Sequence, residues 1–156
     1  MLDKYEKGVF ITSVIVMMLF IFALVYSLDK KSLNITECLP FNKTYQNGRV
    51  VKLDEKTYQV FMVAKMWSFT PDKIYIPVGS DVDFYLTSND VVHGFNIAEK
   101  NVNLMAIFGG VGKTTVHFDK PGVYNIVCHE YCGIGHQFMH GQVIVNYPEA
   151  NKQNTQ

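Results

Sequence analysis

Between residues 58 and 146 the chain reads Tyr58-Gln-Val-Phe-Met-Val-Ala64, Lys73-Ile-Tyr-Ile76, Asp81-Val-Asp-Phe-Tyr-Leu-Thr87, Val92-His-Gly-Phe-Asn-Ile97, Thr114-Thr-Val-His-Phe118, Val123-Tyr-Asn-Ile-Val127 and Gln142-Val-Ile-Val-Asn146. Turn residues separate these runs: Pro77-Val-Gly79, Ser88-Asn-Asp90 and Lys120-Pro-Gly122. Branched and aromatic residues with stretches of alternation, broken by Gly, Pro and Asn, favour strands. About seven short strands, with no amphipathic segment of helix length, predict a mainly β domain built as a Greek-key sandwich or small barrel.

The chemistry gathers in one loop between the last two runs, Cys128-His-Glu-Tyr-Cys-Gly-Ile-Gly-His-Gln-Phe-Met139. Two thiols, an imidazole and a thioether in the pattern C-x3-C-x3-H-x2-M form a soft donor set. Gly133 and Gly135 allow the backbone to turn tightly enough for Cys128, Cys132, His136 and Met139 to converge. His93, after a turn and before Gly94, is the best candidate for one further imidazole. A disulfide would use the two cysteines but does not need His136 and Met139. A zinc site of two Cys and two His would not use Met139. A mononuclear blue-copper site uses a single Cys. Two thiolates at this spacing can bridge a pair of copper ions, and that reading accounts for all the donors. His129 should point to the opposite face from Cys128. His117 and His140 have simple surface or packing roles, and Cys38, with no partner at a metal-like spacing, reads as a free thiol. Met62, Met66 and Met105 read as core filler.

Upstream, Val9 to Leu28 carries no charge and is bounded by Lys4, Glu6 and Lys7 on one side and Asp29, Lys30 and Lys31 on the other. About 20 apolar residues span a bilayer core, so 9–28 predicts a transmembrane helix. The apolar region of a signal peptide is shorter, and Tyr26-Ser-Leu-Asp29 is a poor cleavage site. The organisation is then a short cytoplasmic N-terminus (1–8), the span (9–28), a polar linker (29–59), the β domain (60–148) and a tail (149–156). Flanking lysines tie in the positive-inside count. The short N-terminal tail is what favours a cytoplasmic N-terminus with the β domain on the periplasmic or extracellular face.

Fourteen basic and fourteen acidic residues give zero net charge, which argues against nucleic acid as a partner. The balance is uneven along the chain. Residues 29–59 carry a net +2 and residues 60–148 a net −2.

The span, the β domain, the Cys128–Met139 loop and His93 together resemble subunit II of the haem–copper cytochrome c oxidases. The single span and the Tyr5-Glu-Lys-Gly8 stretch before it look more like the B family, the ba-type oxidases. The resemblance implies a cupredoxin fold holding a dinuclear copper centre, CuA. Cys128 and Cys132 would bridge the metals, His93 and His136 would each bind one, and Met139 and the main-chain carbonyl of Glu130 would be axial ligands. The resemblance also implies partners: subunit I with its haem and CuB, a small third subunit, cytochrome c and the membrane. Oxygen would be reduced in subunit I, and this chain alone would have no turnover.

Further roles follow only from the resemblance. Trp67 falls where electrons enter the centre, and Glu6 where the family's proton path opens. Glu130 resembles the A-family glutamate that helps hold a magnesium ion, an ion that the B-family character argues against. Buried apolar neighbours, Val127, Ile134 and Phe138, would exclude water from the metals. The mild negative charge predicts an apolar docking face and weak electrostatic steering of a basic cytochrome. The rival readings are a free-standing membrane-anchored electron carrier and a copper-delivery protein.

Overall fold

A computed structural model describes residues 3–30, 37–39 and 45–147. The chain divides into two compact units, Met1–Leu33 and Asn34–Gln156.

The first unit holds one helix, α1 (Lys4–Lys30). With no charge from Val9 to Leu28, it is hydrophobic all round rather than amphipathic. Its apolar side chains, from Val9 and Phe10 to Leu28, are exposed in the isolated chain. Lys4–Leu28 is 25 residues long, which at ~1.5 Å per residue exceeds the ~30 Å of a bilayer core. The helix start is capped reciprocally. Asp3 Oδ1 accepts from the Tyr5 and Glu6 amides at 2.7 and 2.8 Å, and Glu6 Oε2 accepts from the Asp3 amide at 2.9 Å. This satisfies amides that the first helical turn leaves unpaired.

The second unit is a β-sandwich. Its strands are β1 (Glu37–Leu39), β2 (Arg49–Lys52), β3 (Thr57–Lys65), β4 (Ser68–Thr70), β5 (Lys73–Pro77), β6 (Ser80–Ser88), β7 (His93–Ile97), β8 (Val102–Ala106), β9 (Val111–Phe118), β10 (Gly122–Val127) and β11 (His140–Asn146). One sheet has the order β1-β9-β6-β3-β2 with β4 on β3, and the other β5-β11-β10-β7-β8. β3 pairs with β6, and β5 with β11, in parallel; the other pairs are antiparallel. Parallel partners cannot be joined by a tight hairpin, so the chain crosses between the sheets, as in a Greek key.

Alternation places Val60 and Met62 of β3, Phe84 and Leu86 of β6, Phe95 and Ile97 of β7 and Val143 and Val145 of β11 between the sheets. Phe84 lies at the centre, 5.6 Å from Phe95 and 6.4 Å from Phe118 between ring centroids. This mainly β, cupredoxin-like fold behind one apolar helix is the one the sequence predicts.

Two details differ from the sequence reading. Within 29–59, expected to be linker, β1 and β2 hydrogen-bond into the first sheet, with Cys38 opposite Gly112 and Val51 opposite Gln59. β2 is further tied down by the Arg49 guanidinium, 4.2 Å above the Phe61 ring. Met66 and Met105 are not core filler. Both are substantially exposed, whereas Met62 is fully buried.

The fold brings three strand ends together. β7 begins at His93, β10 ends at Val127 and β11 begins at His140, with Val127 opposite both Asn96 and His140.

Candidate metal centre

The Cys128–Met139 segment is a closed loop. The Cys128 amide donates to the Met139 carbonyl at 3.1 Å, joining its two ends where β10 and β11 meet. Inside it, a single 3-10 turn at His136–Phe138 folds the second half back, with the His136 amide donating to the Gly133 carbonyl at 3.0 Å. The short spacing of the donors therefore becomes convergence in space.

Cys128 and Cys132 are both buried, with sulfurs 3.7 Å apart, and neither forms a disulfide. Cys132 Sγ lies 3.6 Å from His136 Nδ1 and 3.8 Å from the Met139 sulfur. Cys128 Sγ lies 3.3 Å from the Glu130 carbonyl oxygen. Across the loop, a ring nitrogen of His93 and the two sulfurs all lie within 4.8 Å of one another. Burial first, then Cys128 and the Asp90 charge, push the Cys132 thiol up to about 11. The thiol is therefore protonated at neutral pH until a cation displaces the proton.

His93 supplies the sharpest test of fit. It is fully buried, and its Nε2 lies 2.7 Å from Asp90 Oδ1. Burial works against charge on Asp90, but hydrogen bonds from the Met66 amide, His93 and the Val91 amide outweigh it and hold the carboxyl below its usual range. An ionised Asp90 accepts from Nε2, so in the neutral ring Nδ1 is the nitrogen left to act as an acceptor. That Nδ1 is buried without a hydrogen-bond partner among the described residues. An unpaired buried polar atom costs about 1–3 kcal/mol. A metal between His93 and the thiols would satisfy it, and two thiols, two imidazoles and a thioether fit a soft ion such as copper.

Sequence reasoning missed Asp90, whose only visible signal was its place in the Ser88-Asn-Asp90 turn. Its other oxygen accepts from the Met66 amide at 2.7 Å and so links the residue before Trp67 to His93. Trp67 is half-exposed, and its Nε1 donates to the Cys132 carbonyl at 3.1 Å. Its ring rests on the loop glycines. A Cβ on Gly135 would lie 2.4 Å from the indole, so only glycine permits this approach. Gly94 does the same for His129, whose Nδ1 would be 2.2 Å from an added Cβ.

The expected shield of buried apolar neighbours is not present in the isolated chain. Ile134 is 85% exposed and Phe138 70%, and Val127 is also exposed. The loop's tight turn points Ile134 and Phe138 outward while the donors point inward, and Val127 faces out by alternation in β10. With Tyr131, Met66, Trp67 and Phe108 they leave the metal end apolar and open. His117 pairs with Asp81 on the outer face of the first sheet, away from the site. Glu6 belongs to the helical unit, where its carboxylate serves the cap.

A helix of membrane-spanning length, a cupredoxin-like sandwich and a convergent Cys/His/Met loop define a membrane-anchored protein with a soft-metal site. Residues 48–146 match the family described as cytochrome c oxidase subunit II, periplasmic domain. Cytochrome c oxidase subunit 2 of Thermus thermophilus is 31% identical over 153 residues, covering 90% of this chain and 91% of that protein. A chain from a cryo-EM structure of a heme-copper terminal oxidase dimer is 40% identical, with a TM-score of 0.75, over 92% of this chain and all of that one. The periplasmic domain of subunit II from Bradyrhizobium japonicum cytochrome oxidase, 21% identical over 59% of this chain and 86% of that one with a TM-score of 0.55, shares the fold. The chain belongs to the cytochrome c oxidase subunit II family. It carries the histidine and cysteine pair of a CuA-like ligand set, and α1 is a membrane-spanning anchor.

Proposed function

We propose that this chain is the electron-accepting subunit of a haem–copper terminal oxidase, with a dinuclear CuA centre held by His93, Cys128, Cys132, His136, Met139 and the Glu130 carbonyl. The observation that carries the reading is the bare, buried Nδ1 of His93 facing two free thiols. No hydrogen bond among the described residues explains that arrangement, and a bound soft metal would.

Copper held there supplies one-electron transfer. The chain's own residues make the site ready for it. Asp90 fixes the His93 ring and its tautomer, which raises the ligand's basicity and orients it. Cys128 and Cys132 would hold the metal as thiolates. The closure between Cys128 and Met139 holds the loop to two strands, so the donors keep their places as charge changes. Trp67 leans on Gly133 and Gly135 and is hydrogen-bonded to the backbone of Cys132, which suits it to receive electrons from a docked cytochrome c.

In this reading the apolar metal end is covered by partners, subunit I and the cytochrome, and electrons leave toward haem in subunit I. The N-terminus is cytoplasmic, and the copper domain lies on the opposite face of the membrane. Glu6 would serve a proton path only if subunit I approaches the cap at Asp3. A free-standing carrier would leave Ile134 and Phe138 in water, which makes it the weaker reading.

The test uses the full chain in detergent, loaded with copper and mixed with reduced cytochrome c. Rapid one-step oxidation of the cytochrome, slowed about tenfold or more in Trp67→Leu, with no oxygen consumption, is expected. No electron uptake by the loaded chain would refute the assignment.

A further inference from the structure

A second site lies at the opposite end of the sandwich. β11 runs from His140, beside the copper loop, to Asn146. At ~3.3 Å per residue, that length puts roughly 20 Å between the two ends. Beside Asn146, a cleft of about 360 Å³ opens between the ends of the sheets. Its volume lies within the range of small-molecule sites.

The walls of the cleft are chemically uneven. The β2–β3 turn contributes Lys52, Lys56 and Glu55, and the second sheet contributes Tyr75 and Tyr147. Asp54 fixes that turn by accepting from the Lys56 and Thr57 amides at 2.9 and 2.8 Å. Neither lysine ammonium has an ion-pair partner among the described residues. The two ammonium groups are the cations of the lining, with Glu55 beside them and Asp54 of the same turn within electrostatic reach of Lys52. On the floor, Tyr58 is only 7% exposed and belongs to the core cluster, yet it lines the cleft. No protein hydrogen bond engages its hydroxyl among the described residues, and that oxygen is not sealed from solvent. It is therefore a donor open to the cleft, alongside two ammonium groups and two further tyrosines.

We propose that the cleft binds a small aromatic carboxylate. The carboxylate would take the Tyr58 hydroxyl and the lysine ammoniums, and the ring would lie against Tyr75 and Tyr147. A phosphate without a ring would use only the charges, and a neutral ring only the walls.

The experiment is an NMR titration of the copper-loaded full chain in detergent with benzoate, inorganic phosphate and benzyl alcohol, followed at Tyr58, Lys56 and the copper-loop amides. Benzoate should saturate, shift Tyr58 and Lys56 and leave the copper loop unmoved. The other two probes should bind at least about fivefold more weakly. Tyr58→Phe keeps the packed ring and removes only the hydroxyl, and Lys56→Gln alters an exposed side chain. Each should weaken benzoate about three- to tenfold with an otherwise unchanged spectrum. Equal binding of benzyl alcohol, unchanged affinity in both variants, or no saturation would overturn the proposal.

Discussion

Two regions of this chain hold the same pair of residues and put it to different ends. At the metal end, His93 and Asp90 meet at 2.7 Å with side chains 0% and 19% exposed. On the outer face of the first sheet, His117 and Asp81 meet at 2.8 Å with side chains 55% and 56% exposed. In both, one ring nitrogen is engaged by a carboxylate. Around His117, solvent satisfies what remains. Around His93, the protein excludes water and places two thiols. Pairing with an aspartate therefore does not by itself point to a ligand; burial of the remaining nitrogen beside soft donors does.

The comparison breaks most visibly through the thiols. Cys132→Ser should reduce bound copper from two ions per chain to one at most, measured by metal analysis after desalting. Full retention would mean that the centre does not depend on a bridging pair. The next test sets the two aspartates against each other. Asp90→Asn should lower copper affinity about 10–100-fold, because the ring loses its ionised partner. Asp81→Asn should leave affinity unchanged and thermal stability within about 0.5 kcal/mol. Equal effects of the two changes would erase the distinction drawn between the pairs.

Smaller effects should come from the loop's contact with Trp67. Gly135→Ala forces a Cβ to 2.4 Å from the indole and should cost about 1–3 kcal/mol of stability and slow electron uptake. Gly110→Ala is the control, since an added Cβ there approaches nothing closer than 3.8 Å. It should change stability by less than about 1 kcal/mol. pH sharpens the contrast further. With the Cys132 thiol raised to about 11, copper must displace its proton throughout the neutral range. Apparent copper affinity should therefore rise with pH and weaken as pH falls, with proton release on loading seen in unbuffered titration. A pH-independent affinity would show that the thiols are already ionised. The smallest expected effect is that of salt. A net −2 over residues 60–148 should give only a shallow ionic-strength dependence of cytochrome reaction rates.

What could be read in the sequence was whatever short spacing carries. Cys128, Cys132, His136 and Met139 stand close enough along the chain for their shared purpose to show, and alternation from β3 to β11 carried the fold class. Contacts between distant positions were out of reach. Trp67 and Cys132 are joined by a hydrogen bond across 65 positions, and Asp90 links His93 to the Met66 amide. In β8 the outward Met105 is as apolar as the inward Leu104, which blurs the alternation, and β2 is only four residues long. Ile134 and Phe138 misled because apolarity alone does not say which way a tight loop turns its side chains. Their exposure leaves the metal end open rather than sealed.

The central claim is that the buried His93 region, and not its exposed counterpart, completes a two-copper site. EPR of the copper-loaded full chain in detergent tests it most directly. Hyperfine splitting from two equivalent copper nuclei is expected, lost in His93→Ala and kept in His117→Ala. A spectrum split by a single copper nucleus, or one indifferent to His93, would contradict it.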